Sequence, residues 1–175
     1  MIAVETPVDT RGDAPASDGI DAVTGLPCST FWRLVLGAES SRAVRYGRTA
    51  TVVYVSLVGF ERLVREWDED IAAAVLVRIS RLLRAGTRSS DYVARVGEDR
   101  FGILLTETAE IAAINMVERV RDRCERELST LAPGARIAFG WASPSPSGTL
   151  LRAAVNAERR LRKEAAQRAA ELAPA

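Results

Sequence analysis

The continuous apolar run "TATVVYVSLVGF" at residues 49–60 constrains the fold more than any other feature of the sequence. It is dominated by β-branched and aromatic residues, which favour strands. It also lacks the strict polar–apolar alternation of a strand that has one face in water. The run therefore predicts a strand that is buried on both faces.

Apolar spacing on either side of this run predicts the remaining elements. Two β-prone segments, "DYVARV" and "RFGILLT", flank "GED" and predict a β-hairpin in which Gly97 supplies the turn. Helical spacing and strand patterning predict helices at 31–46, 69–85, 108–128 and 149–170, and further strands at 91–96, 100–106 and 135–142. The residues expected to face inward on the first and last helices are Phe31, Leu34, Val35, Leu36, Leu151, Ala154, Val155 and Leu161, with Ile111 on the third.

The predicted element order is α-β-α-α-β-β-α-β-α, and its centre follows the ferredoxin-like βαββαβ plan. The fold class is therefore α+β, with a mainly antiparallel sheet flanked by helices, and we expect the helices to cover one face. A chain of 175 residues that is 47% hydrophobic can bury one good core. Residues 1–20 are rich in Pro, Asp, Ala and Ser and predict a disordered leader. The domain is expected over 21–170, with a C-terminal tail at 171–175.

Composition excludes several classes of function. The chain has no histidine and two cysteines, which removes Ser-His-Asp and Cys-His catalysis and ordinary zinc clusters. A formal net charge of +1 gives no reason to expect bulk attraction to a nucleic acid polymer or an anionic membrane. No apolar run approaches the roughly 18–20 residues that span a bilayer, and no secretion signal is visible. We therefore expect a soluble cytoplasmic domain.

The stretch "RSSDYVARVGEDRF", residues 88–101, concentrates charge around a turn. An exposed hairpin is one explanation, in which Asp99 is a turn residue and Arg88 pairs with Asp91 at i,i+3 for a few tenths of a kcal/mol, roughly. Arg95 and Arg100 would then pair across the hairpin with Glu98, Asp99 or Glu107.

Three segments, in this order, resemble landmarks of the GGDEF domain of bacterial diguanylate cyclases. "DAVTGLP" at 21–27 is similar to the D-x-L-T-G-L-P segment that opens these domains, and "RVGEDRF" at 95–101 stands where the family has R-x-G-G-D-E-F. "RSSD" at 88–91 lies at the distance of the family's R-x-x-D inhibitory motif. The resemblance covers about 21–165 and implies a role in cyclic di-GMP signalling.

The resemblance implies that the metal site is eroded. In the family, carboxylates at the end of the first strand and in the hairpin hold the divalent metal that neutralises GTP. A cation about 4 Å from the positive charge of Arg100 would be repelled by roughly 4 kcal/mol at an effective dielectric near 20. We therefore predict no catalytic residues and no metal at the matching positions, which are Ser56, Val58, Gly97, Glu98, Asp99 and Arg100.

The substrate contacts implied by the resemblance are also missing. The family's guanine-reading Asn and Asp fall at Val64 and Ala73, and its phosphate-binding lysine falls at Ala165. We therefore predict a chain that is not an enzyme and needs no cofactor, with Mg²⁺ relevant only if some cyclase activity persists.

The resemblance implies that the inhibitory site, in contrast, is retained. In the family the Arg and Asp of R-x-x-D and a further arginine on the next helix bind cyclic di-GMP, and here these are Arg88, Asp91 and Arg119. Arginine forks suit guanine and phosphate.

Three hypotheses follow. The first is an inactive GGDEF domain that binds cyclic di-GMP as a receptor, with homodimerisation left open. The second is a nucleotide-free module that binds a partner protein as a scaffold. The third is residual diguanylate cyclase activity that converts GTP to cyclic di-GMP through ligands such as Asp99 and Glu98.

Overall fold

The computed structural model describes residues 19–172 and contains the nine elements in the predicted order. The strands are β1 (Ala50–Val58), β2 (Tyr92–Arg95), β3 (Arg100–Thr106) and β4 (Arg136–Ala142). The helices are α1 (Ser29–Tyr46), α2 (Phe60–Glu66), α3 (Glu69–Gly86), α4 (Glu110–Leu131) and α5 (Leu150–Glu171).

The four strands form one antiparallel sheet in the order β2-β3-β1-β4. This order confirms the predicted α+β fold with a βαββαβ centre. β1 lies between β3 and β4, and all but one of its residues are buried. The apolar run therefore marks the central strand, as predicted.

Helices cover both faces of the sheet, so the expectation that they cover one face is wrong. One core cluster joins β1 and β3 residues such as Val53 and Ile103 to α3 and α4, and a second joins Val52 and Leu104 to α1 and α5. Because alternate residues of a strand point to opposite faces, a central strand without polar alternation requires cover on both sides.

The face under α1 and α5 is packed through small residues. A Cβ at Gly140 would lie 2.1 Å from the Ala157 carbonyl oxygen, so α5 approaches β4 as closely as a glycine allows. On α1, the Trp32 indole N–H donates to the Tyr54 hydroxyl at 3.1 Å, and the two rings meet edge to face. These contacts fix both helices on the sheet.

The inward faces of three helices differ from the prediction. Phe31, Leu34, Ile111, Leu151 and Val155 are exposed. The residues that α1 and α5 bury are Trp32, Leu36, Ser40, Leu150, Ala153, Ala154, Ala157 and Leu161. On α5 the close approach to β4 at Gly140 involves Ala157 and Leu161, and three of the five residues that the helix buries are alanines.

The predicted leader falls almost entirely outside the described residues. Its last two residues, Gly19 and Ile20, lie inside, and Ile20 forms an isolated antiparallel bridge with Pro27. Within residues 19–172, no helix combines the length and apolar character needed to cross a membrane.

Candidate functional site

The hairpin turn between β2 and β3 lies against the C-terminal end of β1. Ser56 faces Arg100 across the β1–β3 ladder, and the Ser56 hydroxyl donates to Asp99 Oδ2 at 2.7 Å. The Leu57 amide also donates to the Asp99 carbonyl oxygen at 2.9 Å. The fold therefore brings together Ser56 and Asp99, two of the positions that the sequence analysis matched to the family's metal site, and a hydrogen bond links them.

Arg100 forms ion pairs on both sides of this turn. Its guanidinium lies 3.8 Å from Asp99 Oδ1 and 3.6 Å from Glu158 Oε1 on α5. Glu158 also pairs with Arg162 at 2.7 Å. All these side chains are substantially exposed, so each pair contributes at most about 1 kcal/mol. The pair with Asp99 was predicted, whereas the contact with Glu158 was not visible in the sequence.

The donor atoms at this turn do not fit Mg²⁺. Hard divalent cations take several oxygen ligands, of which carboxylates carry the negative charge. Here one carboxylate, Asp99, is shared between the Ser56 hydroxyl and the Arg100 guanidinium. Val58, at the second strand position, is apolar and packs with Ala138 and Leu161. Within residues 19–172, no group of three or more His, Cys, Asp or Glu side chains is placed to hold a metal ion.

The positions matched to substrate contacts take part in packing. Val64 and Ala165 are partly buried against the core. Ala73 is half-buried on α3. None of these side chains can form a hydrogen bond with a guanine edge or a phosphate. Glu98 is exposed and places a carboxylate in the turn.

Arg95 clamps the turn to the segment that opens the domain. Its Nη1 lies 3.1 and 3.0 Å from the two carboxylate oxygens of Asp21, and its Nη2 donates to the Glu98 carbonyl oxygen at 2.7 Å. Thr24 donates to Asp21 through both its amide and its hydroxyl. Burial raises the pKa of Asp21, but the bonds from Thr24 and Arg95 outweigh it and lower that pKa below its usual value.

This clamp corrects one prediction, because Arg95 pairs with Asp21 and not with a carboxylate of the hairpin. The pairing joins residues 74 positions apart, so hairpin spacing could not reveal it. The other predicted partner, Glu107, pairs with Arg48.

Asp91 lies at the opposite end of β2 and is buried. Its Oδ2 accepts the Arg88 amide at 2.8 Å, and its Oδ1 accepts the Thr106 amide at 3.1 Å. The carboxylate therefore ties the turn after α3 to the end of β3. It makes no ion pair with the Arg88 guanidinium within residues 19–172, so the predicted i,i+3 pair is wrong.

Arg88 and Arg119 lie near the C-terminal end of α3 with exposed side chains. Arg119 Nη2 is 3.4 Å from the Gly86 carbonyl oxygen, which brings it to the turn that carries Arg88. Within residues 19–172 neither guanidinium has a carboxylate partner. Arg88 also borders a groove of about 480 Å³ between α1 and the sheet. The fold therefore brings the three inhibitory-site positions to one turn, with two arginines outward and the aspartate inward.

Comparison with known proteins identifies relatives of the chain. The family model described as "Diguanylate cyclase, GGDEF domain" matches residues 19–168. The Escherichia coli diguanylate cyclase DosC is 32% identical over 121 residues, covering 69% of this chain and 26% of DosC. The probable diguanylate cyclase DgcC of E. coli is 28% identical over 102 residues, covering 58% of this chain and 28% of DgcC. The chain thus spans about a quarter of the length of these curated relatives.

Solved structures share the fold. The FimX GGDEF domain from Pseudomonas aeruginosa superposes with a TM-score of 0.79 at 21% identity, covering 86% of this chain and 96% of that domain. The GGDEF domain of DgcB from Caulobacter crescentus, in complex with c-di-GMP, has a TM-score of 0.77 at 16% identity, covering 84% and 90%. Diguanylate cyclase SiaD from P. aeruginosa, in complex with its activator SiaC, has a TM-score of 0.76 at 26% identity, covering 86% and 59%. With the family model matching most of its length, the chain belongs to the GGDEF family.

Proposed function

We propose that this GGDEF domain acts in cyclic di-GMP signalling without synthesising the nucleotide, and that it binds cyclic di-GMP through Arg88 and Arg119. One contrast supports the proposal. The single carboxylate at the former metal position is bonded to Ser56 and faces Arg100, whereas two exposed arginines at the other end of the hairpin have no carboxylate partner within residues 19–172.

The argument against catalysis is electrostatic. Joining two GTP molecules requires metal ions that neutralise the triphosphate and activate a hydroxyl. Asp99 supplies one negative charge, which Arg100 offsets at 3.8 Å. A triphosphate would in addition meet the carboxylate of Glu98 in the turn. The apolar Val64 and Ala73 would leave the guanine edge unpaired, which costs binding energy.

The argument for ligand binding uses the remaining arginines. A planar guanidinium can donate two parallel hydrogen bonds to a phosphate or to the O6 and N7 atoms of guanine. The DgcB GGDEF structure contains c-di-GMP, and a further neighbour describes an interaction mode between a GGDEF domain and this nucleotide. In this chain we assign the direct contacts to Arg88 and Arg119. Asp91 holds the turn that presents Arg88, because its Oδ2 accepts the Arg88 amide at 2.8 Å.

Calorimetric titration of the purified chain with cyclic di-GMP tests the proposal. We expect saturable binding by the wild type. Arg88→Ala and Arg119→Ala should each weaken it about tenfold to hundredfold, because each removes charge-assisted hydrogen bonds.

Arg123→Ala is the matched control, since Arg123 is an exposed arginine one turn further along α4 and has no ion pair within residues 19–172. Its affinity should stay close to that of the wild type. Absence of binding heat at tens of micromolar ligand, or equal losses in all three variants, would refute the binding site.

A second candidate function, a nucleotide-free scaffold, is favoured by the hydrogen bonds of Asp91. Its carboxylate has a structural role that would preserve the residue without any ligand. SiaD, one of the neighbours, forms a complex with a protein activator. If titration finds no cyclic di-GMP binding and a pull-down recovers one stoichiometric partner that the nucleotide does not displace, the scaffold is the better account.

No cofactor is part of either candidate function, and Mg²⁺ enters only with residual cyclase activity. The cytoplasmic location expected from the sequence stays a prediction.

A further inference from the structure

The outward face of α3 carries opposite charges at its two ends. Asp70 lies in the first turn, and Arg81 and Arg84 lie toward the C-terminal end; all three are exposed. Within residues 19–172 none of them forms an ion pair. Many other arginines of the domain do pair, such as Arg78, which makes a bidentate contact with Glu127 of α4. The charges of α3 that have no ion pair within residues 19–172 therefore lie on its outward face, where Arg81 and Arg84 border a cavity shared with residues 20–27.

These charges cannot neutralise each other within one helix. Asp70 and Arg84 are separated by about 21 Å along the axis, from a rise of 1.5 Å per residue. Unit charges that far apart at a surface are largely screened, because the Debye length is about 8 Å at physiological salt. Within residues 19–172 these charges have no partner, and a second molecule can supply one.

The spacing along this face is symmetric about Val77. Asp70 precedes Val77 by seven residues and Arg84 follows it by seven, which is close to two helical turns in each direction. Asp70, Val77 and Arg84 consequently lie along one stripe of the helix surface. Between the charged ends the stripe holds Ala74, which is exposed and small, and Val77, which is half-buried. Small side chains at the centre allow another helix to approach closely.

We propose that the outward face of α3 binds the same face of a second copy of the chain, with the two helices antiparallel about a twofold axis at Val77. That symmetry places Asp70 of each copy opposite Arg84 of the other, so one Asp70–Arg84 pair forms at each end of the stripe. A twofold interface of this kind is self-complementary by construction. Ile71, which is 39% exposed beside the stripe, adds apolar surface. The inference does not depend on nucleotide binding and is independent of the proposed function.

Sedimentation equilibrium without nucleotide at low salt tests the interface. The wild type should rise with concentration from 19.0 kDa toward about twice that mass. Each single reversal, D70R or R84D, places like charges opposite each other at both symmetric contacts, and should weaken the dimer about tenfold or more. R152D is the matched control, because Arg152 is an exposed arginine on α5 with no ion pair within residues 19–172, and it should dimerise as the wild type does.

Mixing the two single variants gives the sharpest test. In a mixed pair, each altered residue meets its new opposite charge while the unaltered pair stays intact, so equimolar D70R and R84D should regain a heterodimer that neither forms alone. The double variant D70R/R84D should dimerise with itself for the same reason. Thermal unfolding followed by circular dichroism verifies that the variants are folded. A wild type that stays monomeric at all concentrations, or mixtures that fail to recover, would overturn the interface.

Discussion

At the scale of single residues, one serine and one arginine distinguish this hairpin turn from a metal site. Ser56 gives Asp99 a hydrogen-bond donor in place of a neighbouring carboxylate, and Arg100 gives it a cation fixed to the chain. The Asp99 carboxylate thereby has both a hydrogen-bond donor and a positive charge from the chain itself. The turn is therefore held by hydrogen bonds and ion pairs among its own side chains and those of β1 and α5.

The sequence identified these positions because the spacing of short motifs survives when side chains change. It did not reveal Asp21 or Glu158 as partners of the hairpin arginines, since each is far away in the chain and is brought close only by the fold. Nor did it reveal that the Asp91 carboxylate points inward, because a surface motif carries no signal for burial.

Asp91 gives the prediction at this scale. Asp91→Ala leaves the amides of Arg88 and Thr106 without their acceptor, and should lower the free energy of unfolding by about 1–3 kcal/mol. Arg88→Ala removes an exposed side chain with no ion pair within residues 19–172, and should change it by less than about 0.5 kcal/mol. Urea unfolding measures both. Equal stabilities of the two variants would show that the Asp91 bonds do not hold the turn.

At the scale of elements, patterning located every strand and four of the five helices, with α2 present only in the predicted element order, and misassigned part of the inward faces of α1, α4 and α5. Periodicity weights the larger apolar residues, whereas three of the five residues that α5 buries are alanines, on the face that approaches β4 at Gly140. Leu151 and Val155 are apolar but face solvent, whereas the neighbouring Leu150 is buried. The close packing depends on both Gly140 of β4 and the backbone of α5, so the sequence of α5 alone does not predict it.

Gly140 provides the test of that packing. In Gly140→Ala the new methyl group would lie within 2.2 Å of the α5 backbone at Ala157 and Leu161, so α5 must shift. The expected loss of stability is about 1–3 kcal/mol in chemical denaturation. Gly37→Ala is the opposite case, since its Cβ meets nothing within 4 Å and it lies inside α1; it should stabilise by about 0.5–1 kcal/mol. Destabilisation by both changes would contradict the packing account.

The opening segment also makes a prediction, through Asp21. Its pKa is lower in the folded chain than in the unfolded one, so the ionised carboxylate stabilises the fold above the unfolded pKa of about 3.9. That stability is lost as pH falls through the lower, folded pKa. Asp21→Asn should therefore lower the urea midpoint at pH 7, and its difference from the wild type should shrink below about pH 4. Glu39→Gln, at the i,i+3 pair with Arg42 on α1, is the control; a difference for Asp21→Asn that is independent of pH would contradict the clamp.

At the scale of the whole molecule, the two ends of the hairpin lie in regions that differ in their side-chain charges. Its turn end packs on β1 and α5, where Asp99 is bonded to Ser56 and paired with Arg100, whereas its other end lies near the exposed Arg88 and Arg119 at the turn after α3. The sequence predicts this division from two motifs that lie within the fourteen residues 88–101, and the division stays a prediction. The cover on both sheet faces and the charge stripe on α3 required the structure, since they depend on which helix surfaces remain open.

The loss of catalysis is the claim on which the account depends most. Incubation of the purified chain with GTP and either Mg²⁺ or Mn²⁺, followed by chromatographic separation of nucleotides, measures it directly, with an active diguanylate cyclase run in parallel. The account predicts unchanged GTP, because Asp99 alone beside Arg100 does not assemble the ions that the reaction needs. Formation of cyclic di-GMP, or of the linear dinucleotide that precedes it, would contradict the account.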